Sequence, residues 1–389
     1  MNRFPFVLLF FLSVSLFGQG AIQLPDVIGT SEVRSRQIRL EGNADLVAGG
    51  TRLFGLHGGM EVVASGEDFV FRMEPVGSGV QLTISSAGQR LWEERFPGPS
   101  ALALAADAAV QRTLGTPGFF ASRIAFISDR TGHAEVYTSD LLFQELKQLT
   151  RDRSQCLSPN LSPDGRTLLY TSYHGSGFPD IYQVDLSTGQ RTVFAGFKGT
   201  NTGATFSPDG RQVAMILSGS GNSDLYVANP QGRNLQKLTR TKSLEADPAW
   251  SPDGVRLAFT SDQMGGPQVY VMSVQSRSME RLRTDISRNC SEPTWNPREP
   301  SLIAFTAASA GEFEVAVYDY RKAQSTILTR GAGDAVHPVW LRDGRHLIYT
   351  ERTSRTSRLM ILDTATGKRA PLSPAQLNNA SEATVIYPR

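Results

Sequence analysis

The feature that most constrains this chain is a short signature that returns at an almost fixed interval. Ser162-Pro163-Asp164-Gly165-Arg166 comes back as Ser207-Pro208-Asp209-Gly210-Arg211 and as Ser251-Pro252-Asp253-Gly254. It degrades to Asn296-Pro297-Arg298 and to Leu341-Arg342-Asp343-Gly344-Arg345. Successive starts, at 162, 207, 251, 296 and 341, lie 44 or 45 residues apart. A fixed period of that size marks an array in which each repeat is one supersecondary unit. The signature is a turn: proline presets φ, aspartate bonds its own backbone, and glycine takes the positive φ that closes a hairpin.

Each repeat reads alike on either side of the turn. An apolar segment ends on a large residue (Leu161, Phe206, Trp250, Trp295, Trp340) immediately before it. A second strand follows at 168–172, 213–218, 257–261, 303–307 and 347–351, and a third at 180–185, 224–229, 268–273, 314–319 and 358–363. A short fourth strand ends in Leu-Thr or similar, as at Leu238-Thr239 and Leu328-Thr329. Four strands in about 45 residues make one blade of a WD40-like β-propeller.

The ends of the array supply one more blade. Segments 124–128, 135–140 and 147–150 read as second, third and fourth strands with no first strand ahead of them. The last residues, 381–388, echo 291–297, and Tyr387 follows Leu341 in register with the period. The C-terminal strand is therefore expected to return and complete the N-terminal blade, which leaves no free sheet edge. The expected fold is mainly β: a six-bladed propeller over 119–389, closed by strand 381–388.

The start of the chain reads as an export leader over residues 1–20. Asn2-Arg3 is positive, 4–17 is apolar but for Pro5, Ser13 and Ser15, and Gly18-Gln19-Gly20-Ala21 offers small residues for cleavage. The apolar run is shorter than the roughly 20 residues a membrane-spanning helix needs. No cysteine lies near the cleavage point to take a lipid, so the mature chain is expected to be soluble and exported, with no membrane span, starting near Ala21. In a Gram-negative cell its destination is the periplasm. Between leader and propeller, 21–118 lacks the repeat. Apolar runs at 62–63, 69–73, 80–84 and 91–96, then an Ala-rich helix from a Ser100 cap to Leu114, predict a small α+β domain.

A repeat of the form Trp250-Ser251-Pro252-Asp253-Gly254, followed by Leu257-Ala258-Phe259-Thr260-Ser261-Asp262, resembles that of the TolB family, the periplasmic propellers of the Tol-Pal envelope system. Residues 259–270, Phe-Thr-Ser-Asp-Gln-Met-Gly-Gly-Pro-Gln-Val-Tyr, carry the likeness furthest. It covers 120–389 and extends weakly through the helix at 100–114. The repeat alone is shared with other propellers, including those of prolyl peptidases; leader, small domain and six blades in that order are narrower. The leading domain is shorter than is general in the family, and 27–39 shows no motif that can be matched residue by residue. The resemblance implies a protein-binding scaffold whose propeller mouth holds a peptidoglycan-associated lipoprotein. It implies a contact of the leading region with an inner-membrane Tol component with less force.

The net charge of +2, with 20% charged and 40% apolar residues, asks for neither nucleic acid nor an anionic membrane. No Gly-x-Ser-x-Gly elbow, phosphate loop or His-Glu-x-x-His is present, so no enzyme and no cofactor are expected, and the chain is expected to act as a monomer. Cys156 and Cys290 lie three blades apart, across the central channel, and are expected to be free thiols. The candidate partner-binding surface is the channel mouth where the innermost strands begin: Ser158, Asn201, Thr202, Glu245, Asp247, Arg288, Asn289, Glu292, Asp334 and His337, with Ser381 and Glu382 from the closing strand. Converging polar groups suit a peptide or loop. The alternative for this acidic set is a cation such as Ca²⁺, in an enzyme or sensor acting on a sugar or lactone.

Overall fold

The structure, a computed structural model, describes residues 35–331 and 333–387. The leader at 1–20, the cleavage point and residue 388 lie outside the described residues.

The leading domain is one sheet carrying two helices. Its elements are β1 (Arg36–Gly42), α1 (Ala44–Gly55), β2 (Met60–Val62), β3 (Phe69–Val76), β4 (Gly79–Ser86), β5 (Gln89–Phe96) and α2 (Ala101–Leu114). The sheet order is β2-β1-β3-β4-β5, with β1 parallel to both neighbours and the rest antiparallel. Period-2 alternation buries Phe69, Phe71 and Met73 of β3 and Val80, Leu82 and Ile84 of β4 in a core shared with Leu53 and Phe54 of α1 and Ala105 and Ala109 of α2.

The hairpin strands and α2 were expected; β1 and α1 were not. Glycines at 49 and 50 weaken α1 as an isolated helix. Here they let neighbours approach closely: a Cβ would stand 2.5 Å from Leu102 Cδ2 at 49 and 2.7 Å from Met73 Cε at 50, and those side-chain tips would have to move. Asn43 caps α1 by accepting from the Asp45 and Leu46 amides. Ser100 occupies the N-cap of α2, but its side chain makes no cap bond, contrary to the sequence reading.

Six four-stranded antiparallel sheets follow, and the strand Ala380–Ile386 pairs with Arg123–Ser128 to complete the first blade, as expected. The turn signature has a physical basis. Ser162 Oγ donates to Asp164 Oδ1 and accepts from the Thr167 amide, Asp164 Oδ1 also accepts from the Arg166 amide, and Gly165 has φ of 70°. The same bonds recur around Ser207 and Ser251. The terminal Leu-Thr pattern is explained as well. Thr150, Thr239 and Thr329 each accept from a third-strand amide, at 2.8, 2.9 and 2.8 Å, and donate to the acid one residue before that amide: Glu135, Asp224 and Glu314.

Where the signature loses both its serine and its proline, at 341–345, the leading domain docks. Leu341 replaces serine and is buried in the leading domain's core, which continues between the sixth and first blades. Asp343, released from the serine bond, accepts from the Arg345 and His346 amides and holds the His346 ring through Nδ1. His346 Nε2 then accepts from the Gly58 amide at 3.2 Å, and the His57 and His346 rings lie 4.5 Å apart. Arg345 pairs with Asp363, whose carboxyl is drawn down to about 2: burial pushes it up, but the bond and charge of the Arg345 guanidinium outweigh that push. A Cβ on Gly58 would fall 2.0 Å from Asp363 Oδ2. Gly58→Ala is therefore expected to lift the leading domain, costing about 1–3 kcal/mol and lowering the melting temperature while speeding proteolysis between domains.

His57 is almost fully enclosed, and burial, aided by His346, drives its pKa down to about 3. It is neutral in the folded protein but takes a proton near 6.5 once unfolded, so acid below that value favours unfolding. Asp107 acts oppositely: burial raises it to about 6, so its contribution falls as pH rises toward that value. The His57 share is isolated by His57→Asn, which keeps an acceptor near Nδ1. Between about pH 7.5 and about pH 4.5, calorimetric melts should show wild type losing about 2–3 kcal/mol relative to the variant.

Candidate functional site

The channel mouth is built by one backbone irregularity repeated six times. In each innermost strand the pairing slips so that two residues face one on the second strand, as where Ala246 pairs with Thr260 but Ala249 with Ala258. The first residue of each bulge has positive φ: Ser158 (48°), Gly203 (65°), Asp247 (51°), Glu292 (55°), His337 (52°) and Glu382 (51°). Proline follows in four cases and alanine in two. Opposite each bulge sits a buried bulky residue: Tyr170, Met215, Phe259, Phe305, Tyr349 or Phe126. A bulge bends its strand and re-aims one side chain, and here it turns that side chain into the channel. The six residues, with the Pro or Ala that follows each, line a cavity of about 200 Å³.

The bulges also stitch neighbouring blades. The His337 amide donates to Glu292 Oε2 at 2.7 Å and the Ser158 amide to Glu382 Oε2 at 2.6 Å. The Glu292 and Glu382 amides donate to the hydroxyls of Thr260 and Thr350 in the preceding blades, at 3.2 and 3.1 Å. Thr306 Oγ1 donates to Glu292 at 2.6 Å, and His337 Nδ1 lies 3.2 Å from its other oxygen. Asp247 accepts from Thr260 at 3.1 Å. Asp247 is exposed to solvent within the channel, but the walls of the ring crowd around its carboxyl. That enclosure, followed by the Glu292 charge, pushes its carboxyl upward, with His337 opposing.

Of the expected residues, Ser158, Asp247, Glu292 and His337 line this cavity together with Glu382; the others do not. Asn201 and Glu245 stand two residues before their bulges and point between blades, where they hold the loops leading into the strand. Asn201 Nδ2 donates to Phe197 O and its Oδ1 accepts from the Phe197 amide; Glu245 accepts from Thr241 at 2.7 Å. Cys156 and Cys290 share that register: both are free, as expected, but they are buried between blades and do not face the channel. Thr202 accepts from Thr171, Asp334 is bound to Arg352 and the Phe313 amide, and Arg288 and Asn289 lie in the preceding loop, with Arg288 exposed. The set mixed registers because period-2 alternation reverses at a bulge, and the bulge is not written in residue type.

Three protein ligand atoms within 4.8 Å of one another occur once among the described residues, at His57, Asp343 and His346, away from the channel. That group joins the two domains. Both nitrogens of His346 are engaged, and the Arg345 guanidinium lies against Gly59 beside it.

Replacing Glu292 tests the ring directly. Glu292→Ala strands the His337 amide and the Thr306 hydroxyl, with an expected loss of about 1–3 kcal/mol in denaturant melts; Glu292→Gln, which keeps an acceptor, should lose less. In the Gln variant the Asp247 carboxyl, freed of its neighbour's charge, should titrate lower by carbon NMR.

The family described as the TolB β-propeller domain matches residues 110–384. Proteins called Tol-Pal system protein TolB, from Desulfosudis oleivorans and Desulfotalea psychrophila, are each 37% identical, over 132 and 126 residues. Those segments are 34% and 32% of this chain and 30% and 28% of the relatives, so the matches span under a third of the relatives' length. The crystal structure of TolB from Acinetobacter baumannii superposes with a TM-score of 0.81 over 92% of this chain and 97% of that one, at 24% identity, which speaks for the fold alone. The propeller thus carries a family match over most of the chain, and the chain belongs to the TolB β-propeller domain family.

Proposed function

We propose that this chain is a periplasmic, non-catalytic scaffold that works as TolB does in a Tol-Pal system, its channel mouth seating a loop of a peptidoglycan-associated lipoprotein. The observation that carries the reading is the ring of six bulge residues. It presents carboxylates, an imidazole and a hydroxyl into one open mouth on a wall cross-bonded from blade to blade. Such a mouth recognises donors on an inserted loop at little ordering cost, because its own groups are already held. The family and the two curated relatives named for the Tol-Pal system support the assignment of the system.

The reading includes export through residues 1–20, and a second contact, toward an inner-membrane Tol component, made by the leading domain. The channel carboxylates form no three-ligand cluster among the described residues, and nothing in their geometry favours the sugar- or lactone-directed alternative over a protein partner.

Tagged mature chain carrying a photo-crosslinking residue at Thr202 or Asn289, flanking the mouth, should capture the peptidoglycan-associated lipoprotein from intact cells. Glu292→Ala and Asp247→Ala should cut that capture by about tenfold, the loss of roughly 1.4 kcal/mol of binding. Absence of the lipoprotein among the captured envelope proteins would refute the assignment.

A further inference from the structure

The two ends of the propeller are chemically unlike. The Pro-Asp-Gly turns share one end with the leading domain, whose hydrogen bonds to the blades reach Leu142, His346 and Tyr387. The opposite end consists of the hairpin tips between second and third strands and the loops entering the innermost strands. It receives no bond from the leading domain among the described residues.

That open end carries a basic rim hidden by the chain's small net charge. Five of the six entry loops present an exposed Arg or Lys: Arg151, Lys198, Lys242, Arg288 and Arg330, one from each. None of these five is in an ion pair among the described residues. Asp285 is the only exposed acid on the same loops among the described residues; Asp152 is buried and paired with Arg191. At the centre of the rim the sign reverses, because the bulges put Asp247, Glu292 and Glu382 in the mouth.

The same end carries large exposed apolar side chains on one side only. Phe178 (65% exposed) and Met264 (68%) sit at the hairpin tips of the second and fourth blades. Phe197 (48%) and Leu244 (57%) sit in the loops entering the third and fourth. Asn201 fastens Phe197 in place through its amide and carbonyl, and Asp262 fastens the Leu244 amide at 2.8 Å, so these side chains are presented on fixed loops. Exposed apolar groups in such a cluster mark an interface, and a fixed charge pattern around them selects and steers the partner.

Building on the proposed protein-binding role of the mouth, we infer that the open end docks off-axis onto an acidic protein surface. Its carboxylates meet the rim arginines and lysines, its apolar side chains pack on Phe178, Phe197, Leu244 and Met264, and a neutral or cationic tip enters the acidic mouth. The central carboxylates and the one-sided apolar cluster argue against a flat anionic bilayer, which would lay negative charge across the mouth and call for apolar contacts all round the ring.

The test uses the full chain in cells, with a photo-crosslinking residue at Phe197 or Met264, and at Val255 on the turn end as a control. Crosslinked segments are mapped by mass spectrometry in wild type and in the combined variant Arg151→Glu, Lys242→Glu, Arg288→Glu. The expected result is a partner segment rich in Asp and Glu, captured from 197 and 264 but not from 255, with a yield about tenfold lower in the variant. The variant should melt as wild type, and the Gln version of the same three changes should fall between the two. Adducts with lipid, with a neutral or basic segment, no adduct, or an unchanged yield in the variant would each overturn the inference. The partner's identity is a separate outcome. An acidic segment of some other protein sustains this inference and removes the lipoprotein assignment; the lipoprotein captured through a neutral segment does the reverse.

Discussion

The whole architecture depends on one pairing between residues far apart in sequence. Strand Ala380–Ile386 lies against Arg123–Ser128, so the first blade is assembled from both ends of the propeller sequence. Unpaired, the ring would expose two sheet edges and the apolar faces beneath them. The closure is locked from the side by α2. Asp107 accepts from the amides of Phe120 and Ala121 and from the Tyr387 hydroxyl, while Arg342 lies 3.8 Å over the Tyr387 ring. Leading domain, linker, last blade and closing strand therefore meet at one junction, and the continuous core between the sixth and first blades follows from it.

Closure makes the bulges possible and useful. A non-glycine residue at positive φ costs on the order of 1 kcal/mol, and five of the six bulges carry one. The ring keeps them because each bulge opens room for the buried bulky side chain opposite, and those at Ser158, Glu292, His337 and Glu382 also bond to a neighbouring blade. The same local distortion thus holds the wall together and decorates the channel. Removing the strain by straightening the strand would also remove the mouth.

The two faces of the ring differ where the repeat is broken. The three complete Ser-Pro-Asp-Gly turns use their polar atoms internally, whereas the turn at 341–345 has given up its serine and spends Asp343 on His346 and, through it, on Gly58 of the leading domain. On the opposite face the six bulge positions hold five residue types, Ser, Gly, Asp, Glu and His, on a single backbone, and the entry loops differ in charge and apolarity. A sixfold scaffold is in this way given one docked side and one open, asymmetric face.

How much of this was legible in the sequence follows from range. Blade number, turn sites, ring closure, the hairpin strands and α2 are set by local turn chemistry and by a period that survives substitution, so they can be read directly. Sequence also located Ser158, Asp247, Glu292 and His337, because the repeat aligns them. It could not separate them from Asn201, Glu245 and the cysteines, which stand two residues away and point between blades, since the bulge that reverses the alternation is a property of paired strands. Strand β1 and helix α1, with its two glycines, were invisible for a related reason: they are held by burying Ile38, Leu53 and Phe54 against the rest of the leading domain and by pairing with strands further along the chain. The basic rim and its acidic centre are likewise beyond the composition. The chain's net charge is a sum, while the field at a surface depends on which loops the fold gathers at one end.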